Sequence, residues 1–509
     1  MSKTKKNAKR KLEQAAAAGL HQQQHQPAAK RQHGLPSPPQ TGPDSTTSTT
    51  TATLASVIST EELDITVETL QTLAQNPAVI KAKGCRDLRA AVYDFRQACT
   101  TGTSATPITG SSGNLTARIS AALVDAKYTD ALVLLAEMRI RNEAPKLGAL
   151  CRWVRDLDVT SGLSSGAVDL ASASPAAANH QLALTRSPQQ RESLRVLDSV
   201  LRVTGTLDLQ PSARCLTVDD PIALHEHWNL RHREPLPVRQ SVLDGSISQH
   251  CPPGVPDNFH VLDRTPAAER KPPNSHDAIV YLSDDNAVPL SQTPPTTTTF
   301  HKHPSVPNLS LMRDVLSTDE CKSIIAACEK VGFLPDAPLR DDGAEASILA
   351  HNVYWMVDQA FHDVLWDRVK PFIPTELDGR KARGINRRFR VYRYVPGAEY
   401  RCHFDGAWPP SGVDPKTGKY VYDASPPEAK QSSLFTFLVY LNDDFEGGET
   451  TFFTPSLREG VMNAYPVQPV MGSIALFPHG ESKGALLHEG TGVRKGAKYI
   501  IRTDVEYDV

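Results

Sequence analysis

The sequence predicts an α+β protein in which a C-terminal β-barrel of jelly-roll type, with flanking helices, follows a small all-α domain and long disordered segments. Three observations carry this. Towards the C-terminus the apolar residues come in short runs, RFRVYRYV, SSLFTFLVYLN, TTFFTP, GSIALFPH and AKYIIRTDVEY, rich in β-branched and aromatic side chains and bounded by Gly, Pro, Asp or Asn. Between residues 56 and 158 apolar residues recur at helical spacing instead. The 39 prolines and the hydrophobic content of 39% mark much of the remainder as unable to bury a core.

A chain of 509 residues exceeds what one core organises, so more than one ordered region is expected. Residues 1–55 read as a disordered tail, because KTKKNAKRK, HQQQHQ and TTSTTTAT offer nothing to offset the entropy of ordering. The basic cluster around Lys5, Lys6, Lys9, Arg10 and Lys11 fits a nuclear import signal, a nucleic-acid patch or a solvated tail. No apolar core follows it, which makes a poor signal peptide, and no window approaches a membrane span. A nuclear or cytoplasmic protein, not a secreted one, is expected. Eight cysteines lie scattered without a CxxC pair, which reads as reduced thiols. The net charge of -2 supplies no global field for nucleic acid or membrane, so partners must be sought locally.

The helical domain is expected over 56–158. Ser59 and Glu62 have the spacing of a capping box, with Leu63, Val67, Leu70 and Leu73 following on one face. Further helices cover Leu88, Val92 and Phe95, then ARISAALVDA, YTDALVLLAEMRIRN and LGALCRWVRDL. Residues 159–304 are expected to be a low-complexity linker, with local elements docked at RESLRVLDSVLRV, where Leu194, Leu197 and Leu201 face inward, and at HDAIVYLS.

Pattern returns in a last region, 305–509. Ser317 and Glu320 form a second capping box, Cys321, Ile324, Ile325 and Cys328 line one face, and Gly332 ends the helix. A second helix is expected over about 353–370, ended by Pro371. The strand-like runs follow.

Within them YRCHFDG places His403 and Asp405 two residues apart at the start of a strand. Both then project to one side while Phe404 packs the other way. Alone the triplet is weak, since a chain with 17 histidines yields about one by chance. A 2-His-1-carboxylate iron site needs a third ligand from a distant strand. His488 in ALLHEG is the candidate, ahead of His479 at the end of GSIALFPH. A dicarboxylate cosubstrate would then need a cation. Lys498 stands on the apolar strand KYIIRTD, where an ammonium without a partner is costly to bury. Arg502 shares its parity and is the alternative, while Arg494 and Lys495 read as solvated charges in a turn.

Residues 306–509 resemble the 2-oxoglutarate- and Fe(II)-dependent dioxygenases, in particular the catalytic domain of the prolyl 4-hydroxylase alpha subunit. The ordered set YRYVPGAEYRCHFDG, SLFTFLVYLNDDFEGGETTFF, PVMGSIALFPH, LLHEG and GAKYIIRTD carries the resemblance. It implies a double-stranded β-helix fold, iron held by His403, Asp405 and His488, and the distal carboxylate of 2-oxoglutarate bound by Lys498 and Tyr394. It implies Fe(2+), 2-oxoglutarate and L-ascorbate as cofactors, and conversion of 2-oxoglutarate to succinate and CO2 while O2 hydroxylates a substrate. Asn442 and Gly447 to Thr450 match the family's LND and GGET, which a tight hairpin would also require. The long insertion AWPPSGVDPKTGKYVYDASPPEAKQSS departs from small members of the family and reads as a lid on the substrate side.

The resemblance implies a prolyl residue of an intracellular protein as substrate, with the helical domain recruiting it or another partner protein, and no membrane. Two other readings stand beside it. Nucleic acid or a small molecule could be the substrate, on the strength of the basic tail and of one repeat-like helix, DALVLLAEMRIRNEAP, which has no second copy to stack on. A catalytically silent adaptor is the other, against which the intact set of ligands speaks.

Overall fold

A computed structural model describes residues 59–101, 114–165, 174–204, 220–270, 277–293, 297–335, 350–480 and 482–509. The basic tail expected at 1–55 lies outside the described residues. Two compact units emerge, Met1–Val92 and Tyr93–Val509. The first contains α1 (Thr60–Ala74). Ser59 and Glu62 form the expected capping box there, the Ser59 hydroxyl accepting from the Glu62 N–H and the Glu62 carboxylate from the Ser59 N–H. No residue of α1 is buried. Helix α2 (Arg86–Thr101) crosses the boundary between the units.

The expectation of one helical domain over 56–158 is therefore corrected. Its later helices, α3 (Leu115–Val124), α4 (Tyr128–Ile140) and α5 (Leu147–Leu157), belong to the second unit. They share a core with α6 (Pro175–Thr185) and α7 (Pro188–Thr204), which arise from the stretch expected to be linker. Ile119, Leu135, Trp153, Leu194 and Leu197 of this layer are fully buried. The linker expectation for 159–304 is corrected with it, since its apolar residues recur at helical and strand spacing too thinly spread to be recognised without the sheet they cover.

Two largely antiparallel sheets form most of the rest, with Ala278–Ser283 and Ala350–Met356 pairing in parallel in the larger. The smaller has β1 (Ile222–Leu224), β8 (Tyr400–His403), β10 (Thr450–Pro455), β11 (Met462–Val467) and β13 (Leu487–Gly490) in the order β1-β11-β10-β13-β8. Only β1 pairs in parallel within it. The larger runs β2 (Phe259–Thr265), β3 (Ala278–Ser283), β6 (Ala350–Met356), β7 (Arg388–Tyr394), β14 (Lys498–Asp508), β9 (Gln431–Tyr440), β12 (Ile474–Pro478), β5 (Ser310–Arg313) and β4 (Thr299–Lys302), in that order.

Helices α8 (Thr318–Val331) and α9 (Gln359–Val369) pack Ile324, Ile325, Cys328, Phe361 and Leu365 on the back of the larger sheet, against Trp355, Phe389, Phe437 and Tyr499. A second core lies between the sheets, where Tyr392, Leu438 and Ile500 meet Phe452 and Tyr465. A third joins the outer face of the smaller sheet, Phe404, Phe453, Met462 and Leu487, to the layer α3–α7. At about 2 kcal/mol for each such side chain, exposing these four would cost as much as the whole net stability of many domains.

The expected helix over 353–370 begins late. Residues 350–356 form β6, buried at nearly every position, so the strand shows no alternation to distinguish it from a buried helix. Asp358 then starts α9 by accepting a hydrogen bond from the Phe361 N–H at 3.0 Å. Among the described residues no helix is long and apolar enough to cross a membrane.

Candidate metal centre

Strand β8 ends at His403, so Asp405 lies just past its end and not at the start of a strand as expected. His403 stands directly opposite His488 of β13 in the antiparallel ladder, with ring centroids 4.2 Å apart. Both imidazoles are held by their own chains. His403 Nδ1 lies 2.8 Å from the Arg401 carbonyl and His488 Nδ1 lies 3.1 Å from the Leu486 carbonyl. A carbonyl only accepts, so each Nδ1 carries the proton and each Nε2 presents a lone pair. Those Nε2 atoms lie 3.5 and 3.6 Å from the two carboxylate oxygens of Asp405. The three ligand atoms fall within 4.8 Å of one another. This donor set fits a divalent iron, two neutral imidazoles and one carboxylate converging from one side.

The electrostatics suit the same use. Burial pushes His488 down to about 3, helped by His403, and so keeps it neutral. Burial alone would raise Asp405, but the Arg502 guanidinium overrides it and holds the carboxyl well below its usual range. Arg502 Nη2 lies 3.3 Å from Asp405 Oδ1 and 3.2 Å from Asp504 Oδ1. The alternative cosubstrate cation therefore sits beside a ligand carboxylate.

His479, open in sequence to being a surface histidine or one standing behind the ligands, is the latter. It is buried, its Nε2 2.8 Å from the Ser433 hydroxyl and its Nδ1 2.7 Å from that of Thr436. Thr436 in turn donates to Asp405 Oδ2 at 2.6 Å. Burial takes His479 down to about 3, so the neutral chain Ser433, His479, Thr436 fixes the Asp405 carboxylate. Sequence reasoning missed Thr436. Its one signal is a hydroxyl interrupting the apolar run LFTFLVY.

Lys498 opens β14 opposite Tyr394 of β7. It is 4% exposed, and its Nζ donates to the Gly448 carbonyl at 2.7 Å. The rings of Tyr394 and Tyr440 lie 5.7 and 5.8 Å from the ammonium. Burial lowers Lys498 to about 8. Gly448, at φ +68°, makes room for it, since a Cβ there would lie 3.2 Å from Lys498 Cδ and 2.8 Å from the Phe445 ring. Asn442 braces the strand alongside by donating to the Ala497 carbonyl and accepting from the Tyr499 N–H, both at 2.8 Å. Lys495 lies not in a turn but in the short strand Val493–Lys495, exposed and 3.1 Å from Glu446.

Outward from Arg502 the same face of the larger sheet continues through Arg390 to Tyr354, each opposite the next. The Tyr354 ring meets the guanidinium groups of Arg390, Arg388 and Arg270 at 4.7, 4.9 and 5.7 Å. The insertion after Gly406 forms a small hairpin, Gly412–Val413 with Tyr420–Val421, and sets Tyr420 over Arg388 at 5.7 Å.

Two imidazoles and a carboxylate, gathered between the two sheets, could hold one metal ion, with a buried cation nearby. Residues 389–503 match the family described as the 2OG-Fe(II) oxygenase superfamily, and this part of the chain resembles such an oxygenase domain. No curated protein matches the chain. Among solved structures, a viral collagen prolyl hydroxylase from Paramecium Bursaria Chlorella virus-1 aligns at 23% identity and TM-score 0.26, over 40% of this chain and 97% of its own. A Pseudomonas putida prolyl-4-hydroxylase aligns at 16% identity and TM-score 0.25, over 39% and 91%. A prolyl hydroxylase from Trichoplax adhaerens, in complex with a hypoxia inducible factor peptide fragment, aligns at 13% identity and TM-score 0.23, over 34% and 70%.

Proposed function

We propose that the chain is a 2-oxoglutarate- and Fe(II)-dependent dioxygenase that hydroxylates a prolyl residue of a protein, on a double-stranded β-helix scaffold. The convergence of His403, Asp405 and His488 within 4.8 Å carries the reading, together with the oxygenase family match. The motif resemblance between Tyr394 and Lys498 supports the prolyl target. Bound iron would supply the redox chemistry, in which 2-oxoglutarate and O2 become succinate and CO2 with one oxygen atom placed in a substrate C–H bond.

The chain's own residues do the rest. His403, Asp405 and His488 would hold the metal. Lys498 and Tyr394 take the far carboxylate of 2-oxoglutarate, the ammonium as counter-ion and the phenol as hydrogen-bond donor. Arg502 balances Asp405, and Thr436 fixes its orientation. Phe452 and Phe477, whose ring centroids lie 5.7 and 4.8 Å from that of His488, keep water from the ligand rings. The insertion carrying Tyr420 closes over the substrate side. Ascorbate would serve only to restore metal oxidised without turnover.

The test is succinate release with iron and 2-oxoglutarate, in the wild type and in His488→Ala. Release is expected from the first and at most a trace from the second; equal turnover would sink the assignment of His488. Proline-bearing peptides should couple succinate release to hydroxyproline, read by mass spectrometry, and release that never couples would leave the chemistry standing without the prolyl target.

A further inference from the structure

The stretch 151–164, at the end of α5 and just beyond it, touches the ligand-bearing strands at four places. Cys151 Sγ donates to the carbonyl of Phe404, the residue between His403 and Asp405, at 3.7 Å. Asp158 pairs with Arg401 at 2.5 Å, and the Arg401 carbonyl is the one that orients His403. The Ser161 N–H donates to Glu489 Oε2 at 3.2 Å and its hydroxyl donates to Glu489 Oε1, next to His488. Ser164 Oγ accepts from the Gly492 N–H at 2.7 Å, in the turn that follows β13.

Glu489 is the centre of this pattern. It is 2% exposed and also accepts from Cys402 Sγ at 3.2 Å, so one carboxylate ties β8, β13 and the loop after α5 together. Cys402 and Glu489 flank His403 and His488 in sequence and point to the opposite face of the sheet, away from the metal. A carboxylate buried at that depth is costly unless its acceptors are filled, and here the helical layer fills them. Such a group cannot shift without dragging both histidines.

We propose that Glu489, held by Ser161, is a positioning residue for the metal centre, and that the layer α3–α7 is a brace on the two histidine strands instead of a detachable recruitment domain. Outer groups that orient ligands commonly affect metal affinity by about 10- to 100-fold. This inference rests on reading His403, Asp405 and His488 as the ligands.

The experiment is Co(II) titration of the full chain followed by visible absorption, at a temperature where far-ultraviolet circular dichroism shows every variant folded. Glu489→Ala is expected to weaken Co(II) binding about tenfold and to change the absorption band, because the imidazoles relax. Ser161→Ala, a milder change that guards against misfolding, should weaken it by about threefold. Glu489→Gln, which keeps an acceptor for the Ser161 N–H, should stay within about twofold of wild type. A purely structural role would lower the melting temperature of Glu489→Ala and leave its affinity and spectrum as in the wild type, which overturns the brace. Glu489→Gln as weak as Glu489→Ala would overturn it too, in favour of a charge effect on the metal. His488→Ala separates the two readings: if it binds Co(II) as the wild type does, the ligand assignment falls, whatever Glu489 does.

Discussion

Lys498 stands directly across the ladder from Tyr394, its ammonium 5.7 Å from the tyrosine ring and hydrogen-bonded to the Gly448 carbonyl. A carbonyl and two aromatic faces attract a cation but do not neutralise it, and Glu449 acts on it electrostatically without an ion pair, so an arriving carboxylate gains a close opposite charge in a dry setting. Lys498→Met should raise the KM for 2-oxoglutarate about 10- to 100-fold, the worth of a charged hydrogen bond of about 1.5–3 kcal/mol. Steady-state succinate release against 2-oxoglutarate concentration measures it. An unchanged KM would return Arg502 as the anchor.

The same lysine predicts a pH profile. Burial lowers it to about 8, so the ammonium is present below that pH and lost above it. The kcat/KM for 2-oxoglutarate, which reports the free enzyme, should therefore fall as pH rises through about 8. In Lys498→Met that limb should vanish.

Thr436 donates to Asp405 at 2.6 Å while its oxygen meets His479. Thr436→Val keeps the shape and removes the hydroxyl. It should weaken Fe(II) binding by about tenfold. Competition with a chelator of known affinity would show it, and retention of wild-type affinity would reduce the Ser433, His479, Thr436 relay to packing.

Away from the site, Arg368 donates to Glu320 at 2.8 and 3.0 Å and to the carbonyls of Val315 and Ser291, all within the α8–α9 core. Arg368→Met leaves the buried Glu320 without its counter-ion and should cost about 3–5 kcal/mol, read from the denaturant midpoint.

The candidate triad and its cation were legible because their spacing obeys local geometry: Asp405 stands two positions after His403, and Lys498 ten positions after His488. What lay hidden depends on contacts between distant segments. Residues 350–356 looked helical because burial on both faces erases the period of two. Thr436 and Glu489 carry no local pattern, since their partners are set by tertiary pairing. Helices α6 and α7 read as docked fragments at most, because the sheet that completes their core comes more than two hundred residues later.

Ser161 and Glu489 meet across 328 positions of chain, and β1 pairs with β11 from Ile222 to Met462, a shorter but still long span. During synthesis at about 5–20 residues per second, the helical layer would wait on the order of half a minute for the strands it covers. Topologies dominated by such distant pairings fold slowly. Ribosome-bound chains arrested near residue 400 should accordingly show residues 114–165 and 174–204 open to protease, and closed only once β13 has emerged. The candidate metal centre is thus an appointment kept between the early and late parts of one translation event.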